Sequence, residues 1–182
     1  MRCIKKVQQI LEIFDFPVRN YYLKLGFDFT KDDWNAVAVE YHAAYAQTSP
    51  SAPLRSGTQA ALETLKAHGL GGSVLSACEL TLLKRMMSER GIIHYFEHIY
   101  GLSDLFAASK LDLGHKFLKK TGLPRAGTLL IGDTVHDHEV AQGLGIACLL
   151  MTGGHQAESK LTPLGCPVVP DLNSVLNYVL NS

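Results

Sequence analysis

Two carboxylates four residues apart, Asp133 and Asp137, close an apolar run that reads Thr128-Leu-Leu-Ile-Gly-Asp133-Thr-Val-His-Asp137. Carboxylates that face one crevice repel each other unless a proton or a cation lies between them, and hard oxygen ligands in that setting suit Mg2+. The plainer reading is that both acids cap the helix that follows. A second short apolar run, Gly72-Ser-Val-Leu-Ser76-Ala77, ends on a hydroxyl, and Ala108-Ser-Lys110 places a lysine at the opening of a helical pattern. Ser76 could cap the next turn, and Lys110 could be a surface residue. A lysine near a helix N-terminus is unfavourable to the dipole, which argues for a specific partner.

These groups need elements to hold them. Residues 128–131 are apolar or β-branched, as in a central parallel strand. Gly132 lets the chain leave the sheet, so Asp133 falls at the carboxyl end, the edge where open α/β sheets bind ligands. Upstream, residues 1 to about 50 read as helix. Phe29-Thr30-Lys-Asp-Asp33-Trp34 predicts a helix start in which Thr30 caps, Asp33 returns the bond and Phe29 packs on Trp34. Gln47-Thr-Ser-Pro-Ser-Ala-Pro53 breaks that helix and reads as a linker. Beyond it helix and strand alternate: helix 57–68, strand 73–76, helix 80–90, strand 98–100, helix 109–121, strand 128–132, helix 137–144, strand 147–151, strand 167–170 and a final helix. Leu172, Val175, Leu176 and Val179 give that last helix its i, i+3, i+4, i+7 stripe. The alternation predicts an α/β fold with a parallel sheet and helices on both faces.

The order strand–Ser76, Lys110, strand–Gly-Asp133-x-x-x-Asp137 resembles the haloacid dehalogenase-like (HAD) hydrolase superfamily, and within it the phosphoglycolate phosphatase-like members. Phe14-Asp-Phe-Pro-Val-Arg-Asn-Tyr-Tyr22 and Leu25-Gly-Phe-Asp28 look like that family's small helical cap, and Gly153-Gly-His155-Gln like a loop after its last motif strand. The resemblance implies a HAD-like (Rossmann-like) core over 51–182 with a helical cap over 1–50. It also implies Mg2+-dependent hydrolysis of a small phosphate monoester through an aspartyl-phosphate. Ser76 and the N–H of Ala77 would then hold a phosphoryl oxygen, Lys110 would neutralise phosphoryl charge, Asp133 would bind the metal, and Asp137 would hold a metal-bound water or Lys110. The family's first motif, Asp-x-Asp-x-Thr/Val, has no counterpart in these 182 residues. At the nearest run, Ile10-Leu-Glu-Ile-Phe-Asp15-Phe-Pro17, the second position is a proline, which cannot transfer a proton. The first core strand and the nucleophile are therefore expected to be absent, with Met1 an internal or misassigned start, Mg2+ weakly held or not held, and the chain inactive alone. The alternative is a non-catalytic binding or regulatory protein, or a partial chain completed by a partner. Without its middle strand, the sheet is expected not to pair strand 73–76 with strand 128–132.

Composition narrows the rest. Seventeen basic and seventeen acidic residues cancel, so no field draws the chain to nucleic acid or to an anionic membrane. Cys3, Cys78, Cys148 and Cys166 show no Cys-x-x-Cys spacing and read as reduced structural thiols. No apolar run approaches 18 residues and there is no signal peptide, so a cytoplasmic location is the expectation. The expected partner is a small phosphorylated metabolite, and an oligomer is possible.

Overall fold

The computed structural model describes residues 7–102 and 109–181; Cys3 and Ala108 lie outside them. In chain order the elements open with α1 (Val7–Ile13), α2 (Val18–Lys24), α3 (Trp34–Thr48), α4 (Thr58–Ala67), β1 (Gly72–Glu79) and α5 (Leu80–Glu89). Then come β2 (Phe96–Leu102), α6 (Lys110–Thr121), β3 (Leu129–Gly132), α7 (Val135–Leu144) and β4 (Ala147–Met151). The chain closes with α8 (Glu158–Leu161), β5 (Val168–Val169) and α9 (Leu172–Leu180). Every strand pair is parallel. The strands form two ladders, β1-β2 and β3-β4-β5, and none joins β1 to β3 among the described residues.

The chain divides into two compact units, residues 1–42 with 129–171 and residues 43–128 with 172–182. In the first unit β4 pairs with β3 from Leu129↔Ala147 to Gly132↔Leu150 and carries Leu149 and Leu150 fully buried. Helix α7 packs on both strands through Val140, Ala141 and Leu144, and Leu161 of α8 is fully buried too. Removing a leucine of this size from water is worth roughly 1.5–3 kcal/mol, so this small cluster anchors the strand on which Asp133 stands.

In the second unit α5 and α6 pack on β1 and β2, and α4 packs on α9. Leu83 and Met87 of α5, Leu113 of α6, Ala61 of α4 and Val175 of α9 are its buried apolar side chains among the described residues. The Pro/Ser stretch forms a 3-10 turn over Ser49–Ser51. The guanidinium of Arg90 donates to the carbonyls of Ser49, Ala52 and Met86, tying that turn to the end of α5.

Two local expectations are corrected. Helix α3 begins at Trp34, and Asp33 caps it by accepting from the N–H of Asn35 at 2.8 Å. Thr30 instead donates its hydroxyl to Asp28 at 2.6 Å. A free carboxylate adjacent to the first turn outcompetes a hydroxyl four residues away. The packing of Phe29 on Trp34 is present, edge to face at 5.1 Å. Strand β1 also runs on past Ser76 to Glu79. Its ladder stops at Leu75↔Tyr100 and resumes at Glu79↔Leu102, so three residues, 76–78, oppose Gly101 alone. Any Cβ on Gly101 would lie 2.7 Å from the carbonyl oxygen of Cys78, so glycine is what allows this bulge.

Candidate functional site

The acidic loop is built from the end of β3 and the first turn of α7. Thr134 and Asp137 form a capping box: the Thr134 hydroxyl accepts from the N–H of Asp137, and the Asp137 carboxylate answers. Oδ2 of Asp137 accepts from the N–H groups of Asp133 and Thr134, both at 3.0 Å, and from the Thr134 hydroxyl at 2.7 Å. Thr134 and Asp137 are 5 % and 4 % exposed. Three donors on one oxygen satisfy a buried charge, and the helix N-terminus favours it as well. Asp137 thus fixes the backbone at Asp133. Gly132 makes this possible, because a Cβ there would sit 2.3 Å from Cβ of Asp137.

Asp133 is about a third exposed. Its Oδ2 accepts from the backbone N–H of His155 at 2.7 Å and lies 2.8 Å from Nδ1 of that ring. Gly154 lets the loop approach: a Cβ there would fall 2.1 Å from the same oxygen. The hydrogen bond to Asp133 raises the pKa of His155 above the ordinary imidazole range, against the opposing effect of desolvation, with the charges of Asp133 and Asp137 adding to the rise. Because the folded value is the higher one, the contribution of this pair is complete below the unfolded value of about 6.5 and is lost as pH rises through the folded value. A histidine NMR titration is expected to find His155 above its peptide range, and Asp133→Asn to return it there. An unshifted His155 would contradict the pairing.

Gln156 follows, 2 % exposed. Its side-chain carbonyl accepts from the N–H of Val135 at 2.7 Å, in the first turn of α7, and its amide donates to the carbonyl of Phe14 at 3.0 Å. Lys160 donates to the same carbonyl at 2.7 Å, and the N–H of Ala157 to that of Leu11. The 154–160 segment therefore holds both the acidic loop and the end of α1. Phe14 packs on His155 with ring centroids 5.5 Å apart, and Phe16 stacks on His136 at 4.8 Å. Asp133, Gly154, His155 and the aromatic residues of α2 line a cleft of about 560 Å³.

The structure brings Asp133 and Asp137 together in the first unit and places Ser76, Ala77 and Lys110 in the second. Ser76 stands at the start of the β1 bulge, where its hydroxyl accepts from the N–H of Cys78 at 3.1 Å. It is not the helix cap. Glu79 caps α5, accepting from the N–H groups of Thr81 and Leu82. Ala77 lies exposed on the same bulge. Lys110 is the first residue of α6, behind a capping box made by Ser109 and Asp112. The thiol of Cys78 is pushed up by burial and by the neighbouring Glu79, which makes it a poor nucleophile. Asp15 is ion-paired with Lys24, which holds its carboxyl below the usual range.

Among the described residues no group of three or more His, Cys, Asp or Glu side chains is arranged to hold a metal ion. Asp133 is the carboxylate of the acidic loop best able to meet a hard cation, since Asp137 turns one oxygen into the cap. Sequence reading did not single out His155, Gln156 or Gly154 as site residues. Their one signal was the Gly153-Gly-His155-Gln run just past a strand.

A family model described as haloacid dehalogenase-like hydrolase matches residues 3–151. The chain is 27% identical over 141 residues to the probable phosphatase IndB of Dickeya dadantii, covering 75% of this chain and 61% of that protein's length. It therefore spans about three-fifths of the curated relative it matches. Among solved structures, a haloacid dehalogenase-like family hydrolase from Streptococcus pneumoniae superposes with a TM-score of 0.73 at 22% identity, over 95% of this chain and 88% of that one. Protein Tyrosine Kinase A of Mycobacterium tuberculosis superposes at 0.77 and 19% identity, over 97% and 82%. At such identities the likeness concerns the fold.

Proposed function

The chain belongs to the haloacid dehalogenase-like hydrolase family, and on that premise we propose that it supplies the phosphate- and metal-binding residues of a phosphatase acting on a small phosphate monoester. The observation that carries this reading is the acidic loop. Asp133 stands at the carboxyl end of a parallel strand, its backbone fixed by Asp137 and its carboxylate held by the Gly154–His155 turn.

Mg2+ fits this loop as a mostly hydrated ion. One partly exposed carboxylate is a sufficient protein ligand for a cation that keeps several waters, and the closed cap at Asp137 leaves that residue in a supporting place. When bound, the ion would neutralise charge on phosphoryl oxygens. The remaining roles belong to the chain. By the family resemblance, Ser76 with the N–H of Ala77 would hold a phosphoryl oxygen and Lys110 would offset phosphoryl charge. Asp137 keeps Asp133 in position. His155 pairs with Asp133 and offsets its charge.

Mn2+ titrated as a paramagnetic stand-in, followed by water-proton relaxation, tests the metal half of this reading. Binding is expected to be weak, and Asp133→Asn to weaken it by more than about tenfold. Equal relaxation enhancement in both proteins would remove Asp133 from the metal site. A binding or regulatory protein of the same fold is the second reading. It is favoured by the ion pair that engages Asp15, the nearest acid to a first-motif position. No helix of the described residues is long and apolar enough to cross a membrane.

A further inference from the structure

The cleft beside Asp133 has walls of an unusual kind for a small polar metabolite. Four of its lining residues are Phe14, Tyr21, Tyr22 and Tyr41, and its aliphatic surface adds to them. The rings form a continuous series that begins at His155: Phe14 lies 5.5 Å from His155, Tyr21 lies 5.1 Å from Phe14, and Tyr22 lies 5.7 Å from Tyr21. Among the described residues that line the cleft there is no lysine or arginine. Its one basic group, His155, faces Asp133. Burial raises the pKa of the Tyr21 and Tyr22 hydroxyls, so both stay neutral.

Such a surface offers little to a leaving group that carries its own carboxylate or a second phosphate. It offers much to a flat, polarisable one, because ring faces and edges attract another ring beyond the apolar area they bury. The volume of about 560 Å³ admits a leaving group of one or two rings. We propose that the substrate is an aryl or ring-bearing phosphate monoester whose ring packs among Phe14, Tyr21, Tyr22 and Tyr41 while its phosphoryl group meets the Asp133 end of the cleft. This inference rests on the phosphate-monoester reading given above.

Calorimetric titration of the full chain in Mg2+ with phenyl, cyclohexyl and ethyl phosphate tests it. Phenyl phosphate is expected to bind roughly tenfold or more tightly than ethyl phosphate, and more tightly than cyclohexyl phosphate. Tyr41→Ala, at a half-exposed side chain, and Tyr21→Leu are each expected to bring the phenyl-to-ethyl ratio down by several-fold. If phenyl and ethyl phosphate bind alike, or cyclohexyl matches phenyl, the aromatic inference fails and the phosphate site stands. A phenyl preference that survives both substitutions places the ring elsewhere and also overturns it. If none of the three esters binds, both the inference and the reading beneath it fall.

Discussion

The 182-residue chain is expected to release p-nitrophenolate from p-nitrophenyl phosphate in Mg2+ no faster than buffer does. Transfer through an aspartyl-phosphate requires an attacking aspartate, and no Asp-x-Asp pair occurs in the sequence. Asp15 is a poor substitute. Its Oδ1 accepts from the N–H of Phe16, its Oδ2 pairs with Lys24, and Pro17 stands where an acid/base would be needed. A chain extended at its N-terminus with a strand ending in Asp-x-Asp-x-Thr is expected to gain at least about a thousand-fold, the scale on which catalytic nucleophiles act. In that extended protein Asp133→Asn should remove most of the gain. Saturable, Mg2+-dependent turnover by the unextended chain would defeat the argument and direct attention to Asp15. The catalytic half of the proposed function depends on this result, and the binding half does not.

The second large effect is structural. Gly132→Ala puts a methyl group 2.3 Å from Cβ and 2.4 Å from Cγ of Asp137, both buried. The clash involves the first turn of α7 and cannot be relieved by rotating a flexible chain end. Either β3 shifts against β4 or the capping box opens. Overpacking costs about 1–3 kcal/mol and a lost cap about 1 kcal/mol, so a loss of about 2–4 kcal/mol is expected. In a chain of this size that lowers Tm by about 5–15 °C. Gly127→Ala is the control: its Cβ would meet only Pro124, at 3.4 Å, and should change stability by less than about 0.5 kcal/mol. Equal melting temperatures for the two variants would mean that the close approach at Gly132 does not constrain the loop.

Local pattern alone determined the order of strands and helices, the parallel pairing and the position of Asp133. An apolar run of four residues followed by glycine and an acid has few other ways to fold, and β3 spans 129–132 where 128–132 was expected. The Ser76 segment was legible for the same reason, but its bulge was not. That bulge depends on Gly101 approaching Cys78, across a partner strand whose register no local pattern specifies. Tertiary structure also decided how Asp137 is used. Spacing put two acids in one crevice, whereas burial and three donors made one of them a cap and left the other about a third exposed against the His155 turn. The support for Asp133 comes from His155, 22 residues away, and the tie between the acidic loop and Phe14 runs through Gln156, 142 residues from Phe14. Hydrogen bonds of that separation leave no periodic trace in a sequence, because the chain between their partners is free to vary. They form only when tertiary packing brings the two segments together, and so the roles of His155 and Gln156 were not legible in the sequence.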